Sequence, residues 1–243
     1  MGWKAHILAA AGSILIATSM AQSADLQVQP TLIDVTAPGA ASTVTLRNDG
    51  PRPINVQIRV FRWSQKGGRE YLELTTDVVA SPPAVTLSPN EDYLARVVRV
   101  SKRQVVGEET YRVLIDELPD ASRSESGAVR LLVRHSIPAF FSAPNAAPPA
   151  VSWTVSRHQG QVLVSARNRG ASHLRISAMT LRDKSGKKLS FGNGLVGYAL
   201  GGSTMAWTVP SSSGRFASSG PVSISAQGNE GPVNAVAPVI AER

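Results

Sequence analysis

The sequence predicts an all-β protein of two domains, and three observations carry that reading. Apolar residues fall in short runs rich in Val, Ile and Thr that alternate with polar residues, the period of a half-buried strand. Gly, Pro, Asn and Ser punctuate these runs, and no segment sustains a helical period. A Pro-rich break from Ser142 to Pro149 divides the series in two.

The N-terminus stands apart from the fold. Lys4 precedes an apolar run from Ile7 to Ala17, and small residues surround Ser23 and Ala24. That order predicts a cleaved signal peptide over residues 1–23 and export from the cytoplasm. The run is too short to span a bilayer, which needs about 20 apolar residues. No later run is longer, so no integral membrane segment is expected once the signal is removed. About 220 residues remain, enough for two ordinary domains.

Leu26, Val28 and Pro30 open the first strand. Ser42 to Asn48 alternates and stops at Asn48-Asp49-Gly50-Pro51, a strong turn signal. Ile54 to Trp63 alternates apolar and polar, as a strand with one solvated face does. Lys66-Gly67-Gly68 turns the chain into Tyr71 to Leu74. After Pro82-Pro83 and Ser88-Pro89-Asn90 come Tyr93 to Val100, Thr110 to Leu118, and Ala128 to Phe141. These seven strands have the spacing of an immunoglobulin-like sandwich, although jelly rolls and barrels give similar counts. The first domain is therefore placed at 24–143 and the linker at 144–149.

A second β series, at 150–243, predicts a further β domain: Val151 to Ser156, Gln161 to Asn168, Leu174 to Leu181, Met205 to Val209 and Val222 to Ala226. Gly192, Gly194, Gly197, Gly201 and Gly202 crowd one stretch and read as turns and bulges. They do not form a phosphate loop, because the spacing G-x-x-x-x-G-K-[ST] is missing and no amphipathic helix follows.

Few residues of the chain offer catalytic or metal-binding chemistry. The chain has no Cys, which removes thiolate zinc sites, iron–sulfur clusters and Cys nucleophiles. His135, His158 and His173 fall in no metal-ligand spacing, and His135 reads as a strand-surface residue. No G-x-S-x-G elbow is present. Asp116 and Glu117 are adjacent, so on a strand they face opposite ways and cannot act as a pair. No enzyme, metal or cofactor is expected. The formal charge is +8, or +7 without Lys4, which favours acidic partners or an anionic surface beside a plain role in solubility. The basic residues are scattered among few aromatics, so nucleic acid is not expected.

What remains is binding through the backbone. A sheet edge offers a row of N–H and C=O groups, and natural proteins normally blunt it. Between Val129 and Ile137, the residues Val129, Leu131, Val133 and, after a polar His135, Ile137 project from one face of a continuous strand. On composition alone an ordinary core strand is the favoured reading.

Several stretches together resemble the PapD-like periplasmic chaperones of the chaperone–usher pathway. Ala24 to Thr31 looks like that family's first strand, Val44 to Asn48 with Asp49-Gly50 like its second strand and turn, Glu109 to Pro119 like its sixth strand, and Val129 to Phe141 like its seventh. Residues 150–243 match the second domain loosely, through Val164 to Arg169 and the length of the region. The resemblance implies two immunoglobulin-like domains set at an angle around a cleft, in the periplasm. It also implies pilin subunits and an outer-membrane usher as partners. The seventh strand is donated to a subunit that lacks its own last strand, through Val129, Leu131 and Val133, with Ile137 on the same face. Burying three such side chains offers about 1.5–3 kcal/mol each, before ordering costs.

Family members also hold the subunit's C-terminal carboxylate with basic residues in the cleft. Here the expected positions carry Leu32 and Pro138. Tyr111-Arg112 and Ser136 to Phe140 look more like the archaic branch. Antiparallel pairing puts the start of the sixth strand at the cleft, so Arg112 is the first anchor candidate, followed by Arg134 and Arg96. The loop from Asp120 to Gly127 is short, as in the family's short-loop subgroup. Two other readings compete: a secreted immunoglobulin-like structural subunit or adhesin, and a secreted glycosidase with a β fold. Pilins usually carry an N-terminal donor extension, whereas the first strand here begins almost at the cleavage site. No pair of acids stands out for a glycosidase.

Overall fold

The computed structural model describes residues 26–119, 131–158, 161–210, 216 and 220–240. The signal peptide at 1–23, the expected start at Ala24, the donor residue Val129 and the loop from Asp120 to Gly127 lie outside the described residues. No helix occurs among the described residues, so none there is long and apolar enough to cross a membrane.

Among the described residues, ten strands build the first sandwich: β1 (Leu26–Gln29), β2 (Ile33–Thr36), β3 (Ala41–Asn48), β4 (Ile54–Lys66), β5 (Arg69–Leu74), β6 (Val78–Ser81), β7 (Ala84–Leu87), β8 (Asp92–Arg99), β9 (Glu108–Leu118) and β10 (Arg134–Ser142). One sheet has the order β1-β3-β8-β6, and the facing sheet has the order β2-β10-β9-β4-β5 with β7 also on β4. β1 and β2 follow each other in the chain but join different sheets. The alternation in β4 shows why these segments are strands. Ile54, Val56, Ile58 and Val60 enter the core, while Asn55 and Arg59 face solvent. Leu46 and Val97 meet them from the facing sheet, and Val113 and Ile115 flank them on the neighbouring β9, all fully buried. Burial of each such side chain contributes about 1.5–3 kcal/mol.

The second sandwich follows the Pro-rich stretch. Its strands are β11 (Val151–His158), β12 (Gln161–Asn168), β13 (Leu174–Arg182), β14 (Lys188–Ser190), β15 (Leu195–Ala199), β16 (Thr204–Pro210), β17 (Val222–Gln227), β18 (Pro232–Ala237) and β19 (Val239–Ile240). The sheets β16-β12-β11-β19 and β14-β13-β17-β18, with β15 on β13, enclose a separate core that includes Val155, Val164, Ile176 and Phe216.

Both sandwiches use one device to end an early eight-residue strand, β3 in the first and β12 in the second. Asn48 is fully buried; its amide donates to the carbonyls of Arg52, Leu87 and Ser88, and its Oδ1 accepts from Gly50 N. Asn168 likewise donates to the carbonyls of Ser172 and Ala199 and accepts from Gly170 N and Ala150 N. An apolar residue at either position would leave several buried carbonyls unpaired, at about 1–3 kcal/mol each. Gly170 has no substitute, since an added Cβ would fall 2.0 Å from the Pro148 carbonyl oxygen.

The strand count differs from the sequence reading in a consistent way. β2, β6 and β7 are additional, and each has only four residues. They lie beside Pro30, Pro38 and Pro82-Pro83, where the punctuation reads as loop. In the second sandwich β14, β15, β18 and β19 are additional. The glycine-rich stretch does hold turns, together with β15, and β13 shows a register shift at Ile176/Ser177 where it pairs with β15. Of the expected seventh strand, residues 128–130 lie outside the described residues, and β10 starts at Arg134. The ladder still reaches one step further, since Glu117 N donates to Val133 O at 3.0 Å.

Candidate functional site

β10 is paired unequally on its two sides. Against β9 it is antiparallel along its whole length, from Arg134↔Asp116 to Ser142↔Glu108. Against β2 it is parallel only over Ala139–Ser142, opposite Ile33–Thr36. From Arg134 to Pro138 the far edge has no strand beside it among the described residues. This is an open ladder of backbone donors and acceptors.

The side chains on that segment follow a gradient. Odd-numbered residues of β10 face the core: Phe141, Ala139 and Ile137 all pack within it. Next on the same line, His135 is half-buried and its Nε2 lies 3.0 Å from Leu26 O. Val133 is half-buried, and Leu131 is 86% exposed. The core-facing stripe therefore runs out past the end of its own core. Leu131 and Val133 are available to another body. Ile137, expected among the donated residues, instead fills the protein's own core opposite Val113 at 4% exposure, so it offers no surface to a partner. His135, expected on the surface, instead ties β10 to β1.

The even face of β10 and the odd face of β4 look away from the core, and the second sandwich covers them at one end. Trp63 and Gln65 on β4, with Phe140 on β10, are buried there, and Leu32 packs against them. Tyr198 and Leu200 meet them from the other side. The Gln65 amide donates to Tyr198 O at 2.8 Å, and its Oε1 accepts from Leu200 N at 2.9 Å. Phe140 stacks on His173 with ring centroids 3.6 Å apart. Glu108 accepts from His173 N at 3.0 Å, and its other oxygen lies 2.8 Å from His173 Nδ1. Gly68 N donates to Thr204 O at 3.3 Å, so the tip of the β4–β5 hairpin also touches β16. Polar pairs and stacked rings thus hold the two bodies in a defined relation.

Arg112 lies inside this junction. Its register partners are Phe61 and Pro138, and its side chain is 15% exposed. The guanidinium sits 3.8 Å from the Trp63 ring centroid and 5.7 Å from that of Tyr198. Its closest acid is Glu70, with Nη2 3.6 Å from Oε1, longer than a normal hydrogen bond. Burial lowers the Arg112 pKa, and Glu70 and Tyr198 partly oppose that shift. Burial also raises the Tyr198 pKa, against the opposing charge of Arg112. Trp63 Nε1 is buried with no hydrogen-bond partner among the described residues. A weakly paired cation beside an orphan donor is chemistry suited to an incoming carboxylate.

The other two anchor candidates lie elsewhere. Arg134 begins β10, eight residues before Ser142, or roughly 26 Å along the strand. It is 60% exposed and donates to Asp116, which Arg59 also holds at 2.6 Å. Burial would raise the Asp116 pKa, but these two guanidinium hydrogen bonds keep it lowered. Arg96 is exposed on β8, in the opposite sheet, between Thr43 and Ser81. Neither reaches the junction.

Sequence reasoning missed Trp63, Gln65, Phe140, Glu108, His173 and Tyr198 as a group. One signal was present. Trp63 and Phe140 occupy the parity that faces solvent elsewhere on their strands, and a large aromatic at such a position marks a covered surface.

Comparison with known proteins adds the following. Residues 25–147 match the family described as pili and flagellar-assembly chaperone, PapD N-terminal domain. A search of curated proteins finds no match. Among solved structures, the chain is similar to a chain of the CsuC–CsuE chaperone–tip adhesion subunit pre-assembly complex, from archaic chaperone-usher Csu pili of Acinetobacter baumannii. Identity is 24% and the TM-score 0.66, over 90% of this chain and 100% of that one. It is also similar to the YadV chaperone, at 17% identity and TM-score 0.62 over 88% and 98% of the two chains. A chain of the Salmonella enterica SafA pilin–SafB chaperone complex matches at 16% and 0.59, over 89% and 98%. These likenesses show a shared two-domain fold.

Proposed function

We propose how this chain, which belongs to the family of pili and flagellar-assembly chaperones, meets its client. The open edge of β10 pairs with an incomplete pilin subunit in the periplasm, and the chain then delivers that subunit to an outer-membrane usher. One observation carries the reading: the core-facing stripe of β10 continues past its own core to Leu131, along an edge with no strand beside it. A subunit that lacks a strand exposes an apolar groove. Main-chain hydrogen bonds to the free edge would supply affinity, and Leu131, Val133 and the preceding Val129 would fill the groove.

Arg112 is the proposed carboxylate anchor. The subunit's C-terminus would displace the long contact to Glu70 and accept from the guanidinium, with the Trp63 N–H as a further donor. The match to a chain of the archaic Csu complex supports the archaic reading of Tyr111-Arg112. Mass spectrometry of what co-purifies with the tagged chain from a periplasmic extract tests the proposal. A pilin in a 1:1 complex is expected with the parent chain and is expected to be lost with Leu131→Asp. Equal recovery of the same pilin by both chains would refute donor-strand pairing.

A further inference from the structure

The positive charge of this chain is concentrated in one place. Residues 151–243 hold ten Lys or Arg against three Asp or Glu, a surplus of seven within the chain's +8. In the first sandwich the cations are largely matched by acids: Arg47 with Asp49 and Asp92, Arg59 with Asp116, Arg99 with Glu109. In the second, four cations crowd the hairpin between β13 and β14: Arg182, Lys184, Lys187 and Lys188. All four are exposed, and none forms an ion pair among the described residues.

The arrangement works against itself electrostatically. Arg182 and Lys188 are direct cross-strand partners, a like-charge juxtaposition that destabilises a sheet. Asp183, the one acid in the hairpin, is buried, and its Oδ1 accepts from Ser185 N, Ser185 Oγ and Lys187 N to build the turn. Edge lysines often deter strand pairing, and Lys188 on the edge strand β14 could serve that end. Lys184 and Lys187 lie in the turn, outside the ladder, so that purpose does not cover them. Beside the cationic pair, an open groove of about 550 Å³ is lined by Ser223, Ser225 and Asn234, which add uncharged hydrogen-bonding groups.

We propose that the β13–β14 hairpin and the adjoining sheet face dock the second sandwich onto an anionic phospholipid surface. Three of the four cations are lysines, whose compact charges suit a diffuse layer of headgroup phosphates better than a planar bidentate ligand. All four are exposed, Lys184 and Lys187 in the turn and Arg182 and Lys188 along the rim of the open groove. No aromatic lines the groove to grip a base or a sugar. The docking leaves the β10 edge untouched, because every residue it uses lies in the second sandwich.

The test is sedimentation of the mature chain with vesicles of phosphatidylglycerol and phosphatidylcholine, and with phosphatidylcholine alone. The chain is expected to bind only the anionic vesicles, and high salt is expected to release it. Lys184→Gln, Lys187→Gln and Lys188→Gln together are expected to weaken partitioning about a hundredfold at low salt, from about fivefold per cation. A control removes the same charge from the first sandwich, through Arg52→Gln, Arg96→Gln and Lys102→Gln, and should lose less than about fivefold if the hairpin is the contact. Unchanged melting curves show that both variants fold. Four results overturn the proposal: no binding of anionic vesicles, equal losses in both variants, competition by millimolar inorganic phosphate, or tighter binding of polyglutamate than of vesicles. The third would mean a discrete phosphate site, and the fourth an acidic protein partner.

Discussion

Leu131 and Ile137 stand on one face of one segment, six residues apart, and the structure assigns them opposite duties. Leu131 is 86% exposed and Ile137 is 4% exposed within the core. Truncating Ile137 to Ala removes buried methyl groups and leaves a cavity, which costs about 2–5 kcal/mol of stability. Melting of the first sandwich should then fall by at least about 4 °C, since 1 kcal/mol shifts a domain of this size by roughly 2–8 °C. Truncating Leu131 removes surface already in water, so stability should stay within about 0.5 kcal/mol of the parent. Its loss is felt only when a client covers it. Burial of a Leu side chain contributes about 1.5–3 kcal/mol, so Leu131→Ala should weaken client binding about ten- to a hundredfold. Calorimetric melting measures the first quantity, and titration of the co-purifying subunit measures the second. The reasoning fails if Leu131→Ala lowers the melting temperature as Ile137→Ala does, or if client affinity is unaffected.

Further outcomes follow from the junction and its charges. Arg112→Met should make client binding indifferent to amidation of the subunit's C-terminus, while the parent should prefer the free carboxylate; Glu70→Gln should strengthen that preference by removing the competing acid. Titration with carboxylate and amide forms of one subunit peptide measures both effects, and a carboxylate preference that Arg112→Met leaves unchanged would exclude this anchor. Gln65→Leu should leave the backbone N–H of Leu200 and C=O of Tyr198 unpaired at the junction, costing about 1–3 kcal/mol each. Faster limited proteolysis near residues 143–150 is the expected readout, and an unaltered digestion rate would mean that the Glu108–His173 pair and the stacked rings hold the junction without Gln65. The hydrogen bond from Arg99 lowers the Glu109 pKa, with burial opposing and the Tyr111 hydroxyl adding to the effect. A carboxylate depressed in the fold stabilises it above its unfolded pKa and loses that contribution as pH falls through the folded value. Melting temperature should therefore decline on the acid side of the ordinary glutamate range, and Glu109→Gln should flatten part of the decline; an identical acid limb in that variant would refute this source.

Fold class and most of the long strands are legible in the amino-acid sequence alone. Alternation in Ile54 to Trp63 and the stop at Asn48-Asp49-Gly50 are local facts, because strand parity and turn chemistry are decided by residues close in the chain. Local pattern also sets which side chains share a face. It does not say whether that face is covered. Val133 and Leu131 continue the parity of Ile137, yet only the extent of the facing sheet decides that Ile137 is roofed and Leu131 is not. The same limit separates the arginines: Arg112, Arg134 and Arg96 all sit on strands with similar patterns. The β4–β9 ladder sets Trp63 beside Arg112, and only the docking of the second sandwich adds Tyr198, while Arg134 stays with Asp116. Glu108 and His173 are 65 residues apart, and Gln65 reaches backbone more than 130 residues away. Contacts at such separations arise from how two finished sandwiches pack together, and no short-range pattern in the chain encodes them.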